Sequence, residues 1–442
     1  MAIYYGKETE QAIKNFPFSG PRISLSLIHA IAEIKWAAAQ ALIETKEIDE
    51  IKGKAIIKAA KSVARGERDE QFFLPALQGG AGTSTHMNVN EVIANLATEI
   101  LSKEKRKLTV HPLDDVNKGQ STNDVIPSAL KIESLRKTQK ILKTGKELYK
   151  VLNEKAKAYE RVAKLGRTHL QDAVPITLGD EFHSYAYSIE RDLKRLEALL
   201  PSLRELVLGG TAVGNGVNAS PQFVRHLYPA LSKITRIELV PAKNLMAQTS
   251  NPQDFVALSQ AFTALTLDLS KMANDLRFLS SGPRGGIGEI NIKSKQNGSS
   301  IMPGKINPIQ LETVNQLHFL VSGNNLSIQE AAHAAQLELS VMTPLIAERL
   351  LESATLIQEV IEKSLIGCIQ HITANKNICR THLENSTAYA TLLVPRLGYD
   401  VVAEVVDEAI RTQNTVRKVV LEKKLLTEKE LNTLVGRYKT NL

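Results

Sequence analysis

Residues 254–281, "DFVALSQAFTALTLDLSKMANDLRFLSS", decide the fold. Phe255, Leu258, Phe262, Leu265, Leu269, Met272, Leu276 and Leu279 follow one another at steps of three and four. That spacing draws one apolar seam along a helix and predicts lengthwise packing against neighbouring helices. Asn251 and Pro252 supply its start, a capping residue followed by a residue preset for the first turn. A second seam, Leu135, Thr138, Leu142, Gly145, Tyr149 and Leu152, lies in a stretch from Pro127 to Leu165 without internal proline. At ~1.5 Å per residue such a helix would reach about 55 Å, and Gly145 on its seam predicts the close approach of another backbone. A third helical region is predicted over residues 311–370, irregular at "SGNN" (322–325) and kinked near Pro344.

No run of alternating Val, Ile and Thr is long enough for a central sheet. The expected fold is therefore mainly all-α, a bundle of very long helices with smaller mixed or helical caps. Seams of this length predict that packing continues across subunits, so an oligomer is expected.

The bulk composition bounds the function. A chain of 442 residues, 43% hydrophobic and 23% charged, can bury a large core and form two or three domains. No window approaches eighteen uninterrupted apolar residues, so no membrane association is expected. The start "MAIYYGKETEQAIKNF" has neither the basic head nor the apolar run of a secretory signal, and a cytoplasmic location is expected. Cys368 and Cys379 are too few for a disulfide framework and have no metal-ligand spacing. The formal charge of +8 comes from lysines that alternate with glutamates, as in "KTGKELYKVLNEKAKAYER", which reads as solvated helix faces. Aromatic residues make up 5% of the chain, too few to interleave a basic stripe for nucleic acid, whereas small anions would be attracted.

Four segments break the helical pattern: "QGGAGTSTHMNVNEVIAN" (78–95), "HPLDDVNKGQSTNDVIPSAL" (111–130), "GRTHLQDAVPITLGDEF" (166–182) and "GSSIMPGKINP" (298–308). They hold Thr83 and Ser84; Ser121, Thr122 and Asn123; Thr168, His169, Gln171 and Asp172; and Ser299, Ser300, Lys305 and Asn307. Taken singly, each is what a helix cap or turn requires, and Ser121 or Thr122 before a helix is first of all an N-cap. Taken together they collect hydroxyls, amides, an imidazole and an ammonium where carboxylates are sparse. That inventory suits a small dicarboxylate, held by hydroxyls and helix-terminal N–H groups and neutralised by Lys305. It offers no metal-ligand spacing and no phosphate-cradling GxxxxGK[ST] loop, so neither a metal nor a cofactor is expected.

"GSSIMPGKINP" resembles the signature of the fumarase/aspartase superfamily, and "QGGAGTS", "GQSTND", "GRTHLQDAVP" and "SGPRGGIGEI" (281–290) resemble its other shared blocks in the same order. The likeness runs from "YYGKETEQAIKNFP" to "LLTEKEL", nearly the whole chain. It implies a homotetramer of three-domain, mostly helical subunits whose central bundles pool into a twenty-helix core, with each active site shared by three chains. The divisions expected here are residues 1–121, a central bundle 122–373 and a small helical domain 374–442. "QGGAGTS", "AAQLELSVMTP" (334–344), "ITANK" (372–376) and "VNQ" (314–316) are similar to the aspartase branch, whereas Gln310 looks more like a fumarase. His86, Gln11 and Leu113 stand where the superfamily usually has Asn, Arg and Asn. The resemblance therefore implies reversible elimination of ammonia from L-aspartate to give fumarate, with hydration of fumarate to L-malate as the alternative.

Removing a proton from C3 beside a carboxylate concentrates charge in an aci-carboxylate, so preorganised donors carry most of the catalysis. By the resemblance, Ser299 is the base, an alkoxide stabilised by loop N–H groups and by Lys305. Thr83, Ser121 and Thr122 are the candidate donors to the developing charge. Lys305 and Asn307 grip the other carboxylate. Asn123, Thr168 and His169 face the ammonium or the carboxylates, with Glu312 orienting His169. The glycines and Pro303 suit a loop that closes over substrate.

Overall fold

The structure is a computed structural model that describes residues 3–293, 295–296 and 298–438. Residues 1, 2 and 439–442 of the expected terminal domains lie outside the described residues.

The chain begins with α1 (Lys7–Asn15), α2 (Leu25–Glu44), α3 (Glu50–Ala64) and α4 (Thr83–Lys103). The 37-residue α5 (Thr122–Ala158) follows, then the antiparallel pair β1 (Ala163–Thr168) and β2 (Gln171–Thr177). Next come α6 (Leu178–Arg204), α7 (Pro221–Thr235), α8 (Leu245–Ser250) and α9 (Gln253–Leu279). α10 (Ile309–His333) and α11 (Thr343–Val360) complete the long helices. Shorter ones close the chain: α12 (Ile366–Gln370), α13 (Lys376–Asn385), α14 (Ala390–Leu397), α15 (Tyr399–Thr412), α16 (Val416–Glu422) and α17 (Glu428–Val435). The mainly helical class expected from the sequence is observed.

All eight residues of the seam in 254–281 are buried along α9. The second helix differs from expectation at both ends. α5 starts at Thr122, five residues before Pro127, and carries the proline in its second turn, where the bond to the Asn123 carbonyl is forfeited. It ends at Ala158, and residues 163–165 of the expected stretch open β1 instead. Gly145 does admit a close neighbour, but a side chain rather than a backbone: a Cβ there would stand 2.4 Å from Leu193 Cδ2. The third region holds α10, α11 and the short α12. "SGNN" stays regular inside α10 because Asn324 donates to Glu352 Oε2 at 2.9 Å and Ser353 Oγ at 3.0 Å on α11. The break falls at residues 334–342, and Pro344 opens α11 rather than kinking a longer helix.

The chain divides into two compact units, one holding residues up to 142, 194–264 and 319–358, the other 143–193, 265–318 and 359 onward. In the first, α2 gathers Ser26, His29, Glu33 and Gln40 on one half-buried stripe and buries the apolar remainder, Leu27, Ile28, Ile31 and Ile34 being at most 1% exposed. In the second, α13–α17 pack a core of Leu383, Leu393, Val402, Val405, Val419, Val420 and Leu431 against Ala163 and Leu165 of β1. Among the described residues no helix is long and apolar enough to cross a membrane.

Candidate active site

The first unit carries Thr83 and the Ser121–Asn123 group. Ser121 caps α5: its Oγ accepts the Asn123 N–H at 3.2 Å, while Asp124 Oδ1 accepts the Ser121 N–H at 2.9 Å. This reciprocal arrangement satisfies two N–H groups at the helix start. The other oxygen of Asp124 accepts from Gly209 N at 3.2 Å and Thr211 N at 3.0 Å, tying the 205–220 segment to α5. Burial pushes the Asp124 carboxyl up to about 6, against those three N–H groups and the charge of Lys35. Asn123 Nδ2 donates to Ala212 O at 2.7 Å, which leaves the amide oxygen to accept.

Thr122, the first residue of α5, has its Oγ1 2.9 Å from His86 Nδ1. Thr83 opens α4 after two left-handed residues, Ala81 (φ 56°) and Gly82 (φ 92°), and its hydroxyl donates to Gly80 O at 2.7 Å. Ser121, Asn117, Lys118, Thr211 and Asn218 line an open pocket of about 640 Å³.

The second unit carries the rest. The segment 166–182, which composition marks as a loop, is instead the β1–β2 hairpin and the start of α6. Thr168 and His169 lie at its exposed tip, where His169 (φ 52°) and Leu170 (φ 62°) both adopt the left-handed conformation of a two-residue type I′ turn. Neither is the Asn or Gly that such a turn favours, and strain of this kind gathers at functional sites. Beneath the tip, β1 sends Lys164 and Arg167 to Glu289, which is fully buried. Lys164 Nζ lies 3.0 Å from Glu289 Oε2, Arg167 reaches Oε1 at 2.9 Å, and His382 Nδ1 of α13 lies 3.1 Å from the same oxygen. Burial raises the Glu289 carboxyl, but the Arg167 hydrogen bond and the Lys164 charge outweigh it and hold it below the ordinary range. Glu181 Oε1, 2.8 Å from Lys164, completes the group.

Ser299 sits in a loop whose ends are bonded to each other, Gly298 N donating to Lys305 O at 3.0 Å and Asn307 Nδ2 to Gly298 O at 2.7 Å. Ser299 Oγ accepts the N–H groups of Ile301 at 3.2 Å and Met302 at 3.1 Å. An alkoxide at that oxygen would meet two backbone donors already in place. Lys305 is exposed and lines, with Ser280, Gly282, Asn291 and Pro308, a pocket of about 250 Å³. Glu312, in the first turn of α10, is exposed, and among the described residues no hydrogen bond joins it to His169 within the chain.

Sequence reading passed over three features. The 208–220 segment "LGGTAVGNGVNAS" holds α5 in place, and its glycine density was the available signal. Glu289 lies in the block "SGPRGGIGEI" with no local sign of its buried partners, and the buried Lys35 and Lys164 look in sequence like ordinary surface lysines. Among the described residues no group of three or more His, Cys, Asp or Glu side chains is placed to hold a metal ion.

Residues 2–323 match the family described as Lyase, and residues 390–437 match the Fumarase C C-terminus. The chain belongs to the fumarase/aspartase superfamily and is a carbon–nitrogen lyase. It is 41% identical to the aspartate ammonia-lyase of Bacillus subtilis over 437 residues, 99% of this chain and 92% of the relative. The aspartate ammonia-lyase of Pseudomonas aeruginosa is 43% identical over 432 residues, 97% of this chain and 91% of its own. Among solved structures, the fumarate lyase:delta crystallin of Brucella melitensis superposes with a TM-score of 0.94 at 40% identity, covering 99% of this chain and 96% of that one. The class II fumarase of Schistosoma mansoni reaches the same TM-score, 0.94, at 32% identity, covering 99% and 95%.

Proposed function

We propose that the chain is an L-aspartate ammonia-lyase that works as a cytoplasmic homotetramer, of three-domain subunits divided near residues 121 and 373, with each active site shared by three subunits. The observation that carries the chemistry is the cradle at Ser299, whose Oγ accepts two backbone N–H groups in a loop closed between Gly298 and the Lys305 carbonyl. A serine hydroxyl is a poor base at neutral pH, and these donors together with an ammonium lower the cost of its anion. Ser299 Oγ takes the C3 proton, and the electron pair moves into the adjacent carboxylate as an aci-carboxylate. Thr83, Ser121 and Thr122 donate to that charge. Lys305 and Asn307 hold the other carboxylate, and Thr168 and His169 complete the pocket from another chain, with Glu312 of a neighbouring subunit orienting His169. The C–N bond then breaks and ammonia leaves with its pair, without the protonation that hydroxide would require.

The identities to named aspartate ammonia-lyases favour an amine over a hydroxyl as leaving group. Asn123 agrees with them, because its amide oxygen is the group left to accept an N–H from substrate. Large apolar residues exposed along α9 and α10, such as Phe278, Leu267, Phe319 and Leu326, support helix packing between copies. The test is to offer purified protein L-aspartate and L-malate separately while following fumarate. Rapid turnover of aspartate with little of malate is expected; equal or better turnover of malate makes the enzyme a fumarate hydratase.

A further inference from the structure

Behind the N-terminus of α5 lie buried polar groups that the reaction described above leaves unused. His86 on α4 is 1% exposed, with Nδ1 2.9 Å from Thr122 Oγ1, and its Nε2 meets no hydrogen-bond partner among the described residues. Lys35 on α2 is fully buried and donates to Asn117 Oδ1 at 2.9 Å. A ring nitrogen against a substrate-binding hydroxyl raises the question of which atom holds the proton.

Thr122 has one hydroxyl proton. A substrate carboxylate can only accept, so that proton has to point at the substrate for Thr122 to bind it. The contact with His86 is then made by the ring nitrogen donating to the threonine oxygen. Two observations agree. Burial, and after it the positive charge of Lys35, holds the imidazole well below its ordinary pKa, so the ring is neutral and carries one proton. Nε2 is the nitrogen without a partner, and a bare buried lone pair is tolerated better than an orphaned N–H, which places the proton on Nδ1.

We infer that His86 is a positioning residue for this reaction: its Nδ1–H donates to Thr122 Oγ1 and commits the threonine's own proton to the substrate carboxylate. The inference rests on the assignment of Thr122 as a substrate donor. Its consequence is a chemical demand on position 86. An asparagine meets it, because its Nδ2 stands one bond beyond Cγ, as Nδ1 does. Leucine fills similar space without a donor, and glutamine carries its amide out toward the place of Nε2.

The experiment compares kcat and KM for His86→Asn, His86→Leu, His86→Gln, Thr122→Val and the double variant His86→Leu/Thr122→Val, each verified as an assembled oligomer. His86→Leu is expected to lower kcat by roughly 10- to 100-fold, a share of what loss of one oxyanion donor costs, with KM moving less than about threefold. His86→Gln is expected to lose as much, and His86→Asn to stay within about threefold of wild type on both parameters. The double variant is expected to fall no further than Thr122→Val alone, since the histidine acts through that hydroxyl. Multiplying losses in the double variant, or a His86→Asn enzyme as poor as the leucine, would overturn the inference. Where His86→Leu fails to assemble, the polar His86→Gln replaces it in the cycle. The wild-type assay with aspartate and malate tests the substrate assignment separately, and the ratios among variants are read with whichever substrate turns over.

Discussion

Gly298→Ala isolates the loop that holds Ser299, the proposed base. The glycine's backbone is not in the left-handed region, so the substitution acts by contact alone. A Cβ at this position would stand 2.2 Å from Lys305 O, 2.7 Å from Lys305 C and 3.1 Å from Asn307 N, all backbone atoms that no side-chain rotation can move. Restoring ordinary carbon–oxygen contact requires the two ends of the loop to part by about 1 Å. That stretches both closing hydrogen bonds, Gly298 N to Lys305 O and Asn307 Nδ2 to Gly298 O, each contributing ~0.5–1.5 kcal/mol. Ser299 is the next residue, and a displacement of ~1 Å at a reacting group costs about 10²-fold in rate. The loop is largely exposed, so the loss of global stability is expected to stay within the worth of those two bonds, at most about 3 kcal/mol. The assay is kcat for L-aspartate from the ultraviolet absorbance of fumarate, with thermal unfolding run alongside. A kcat within about threefold of wild type would refute the claim that loop closure positions the base.

Ser299→Ala is expected to lower kcat by roughly 10³-fold or more while KM moves little, and Ser300→Ala to be milder; steady-state kinetics on both variants checks the assignment. Burial pushes Lys35 down to about 7 despite the nearby charge of Asp124. Between that pH and the usual lysine value the unfolded chain holds a proton that the folded chain has released, so this group's contribution to stability rises with pH across the window, by at most ~1.4 kcal/mol per unit, and its penalty is full below it. Lys35→Met is expected to remove that rise, measured as the difference in urea midpoints between variant and wild type from neutral to alkaline pH. If three chains build each site, Thr122→Ala and Ser299→Ala subunits unfolded together and reassembled recover about a quarter of wild-type activity, because each residue then comes independently from a chain of either type. Mixed oligomers verified by mass that stay inactive would show that each subunit builds its own site.

The long helices were legible because a seam of eight apolar residues admits one periodicity, and all eight proved buried. Their ends were not. Pro127 read as a boundary, yet α5 is started by the reciprocal bonds of Ser121 and Asp124, and the helix carries the proline in its second turn. The β1–β2 hairpin was hidden twice over. Its turn is His169–Leu170 rather than the Asn-Gly pair that announces such turns, and its inward-facing Lys164 is held by Glu289 and Glu181, partners distant in sequence. The break between α10 and α11 has no glycine or proline within residues 334–342, the chain turning instead through a left-handed Leu337 (φ 51°).

The candidate site shows why the structural and the functional reading of a polar loop need not compete. Ser121 caps a helix as its position before α5 suggested, yet its oxygen does so by accepting an N–H, which leaves the hydroxyl proton free to donate. Ser299 likewise uses its oxygen to close a turn over Ile301 and Met302, and the two N–H groups that satisfy the neutral hydroxyl are the ones an alkoxide needs. Asn123 spends its amide N–H on Ala212 and keeps an acceptor outward. On the proposed assignment, the local bond in each case holds the functional atom in place before substrate arrives, which lowers the reorganisation required when charge develops. A replacement that removes only the outward valence should therefore cost activity without stability. One that removes the inward bond should cost both, and that difference distinguishes a residue that binds substrate from a cap that merely lies beside it.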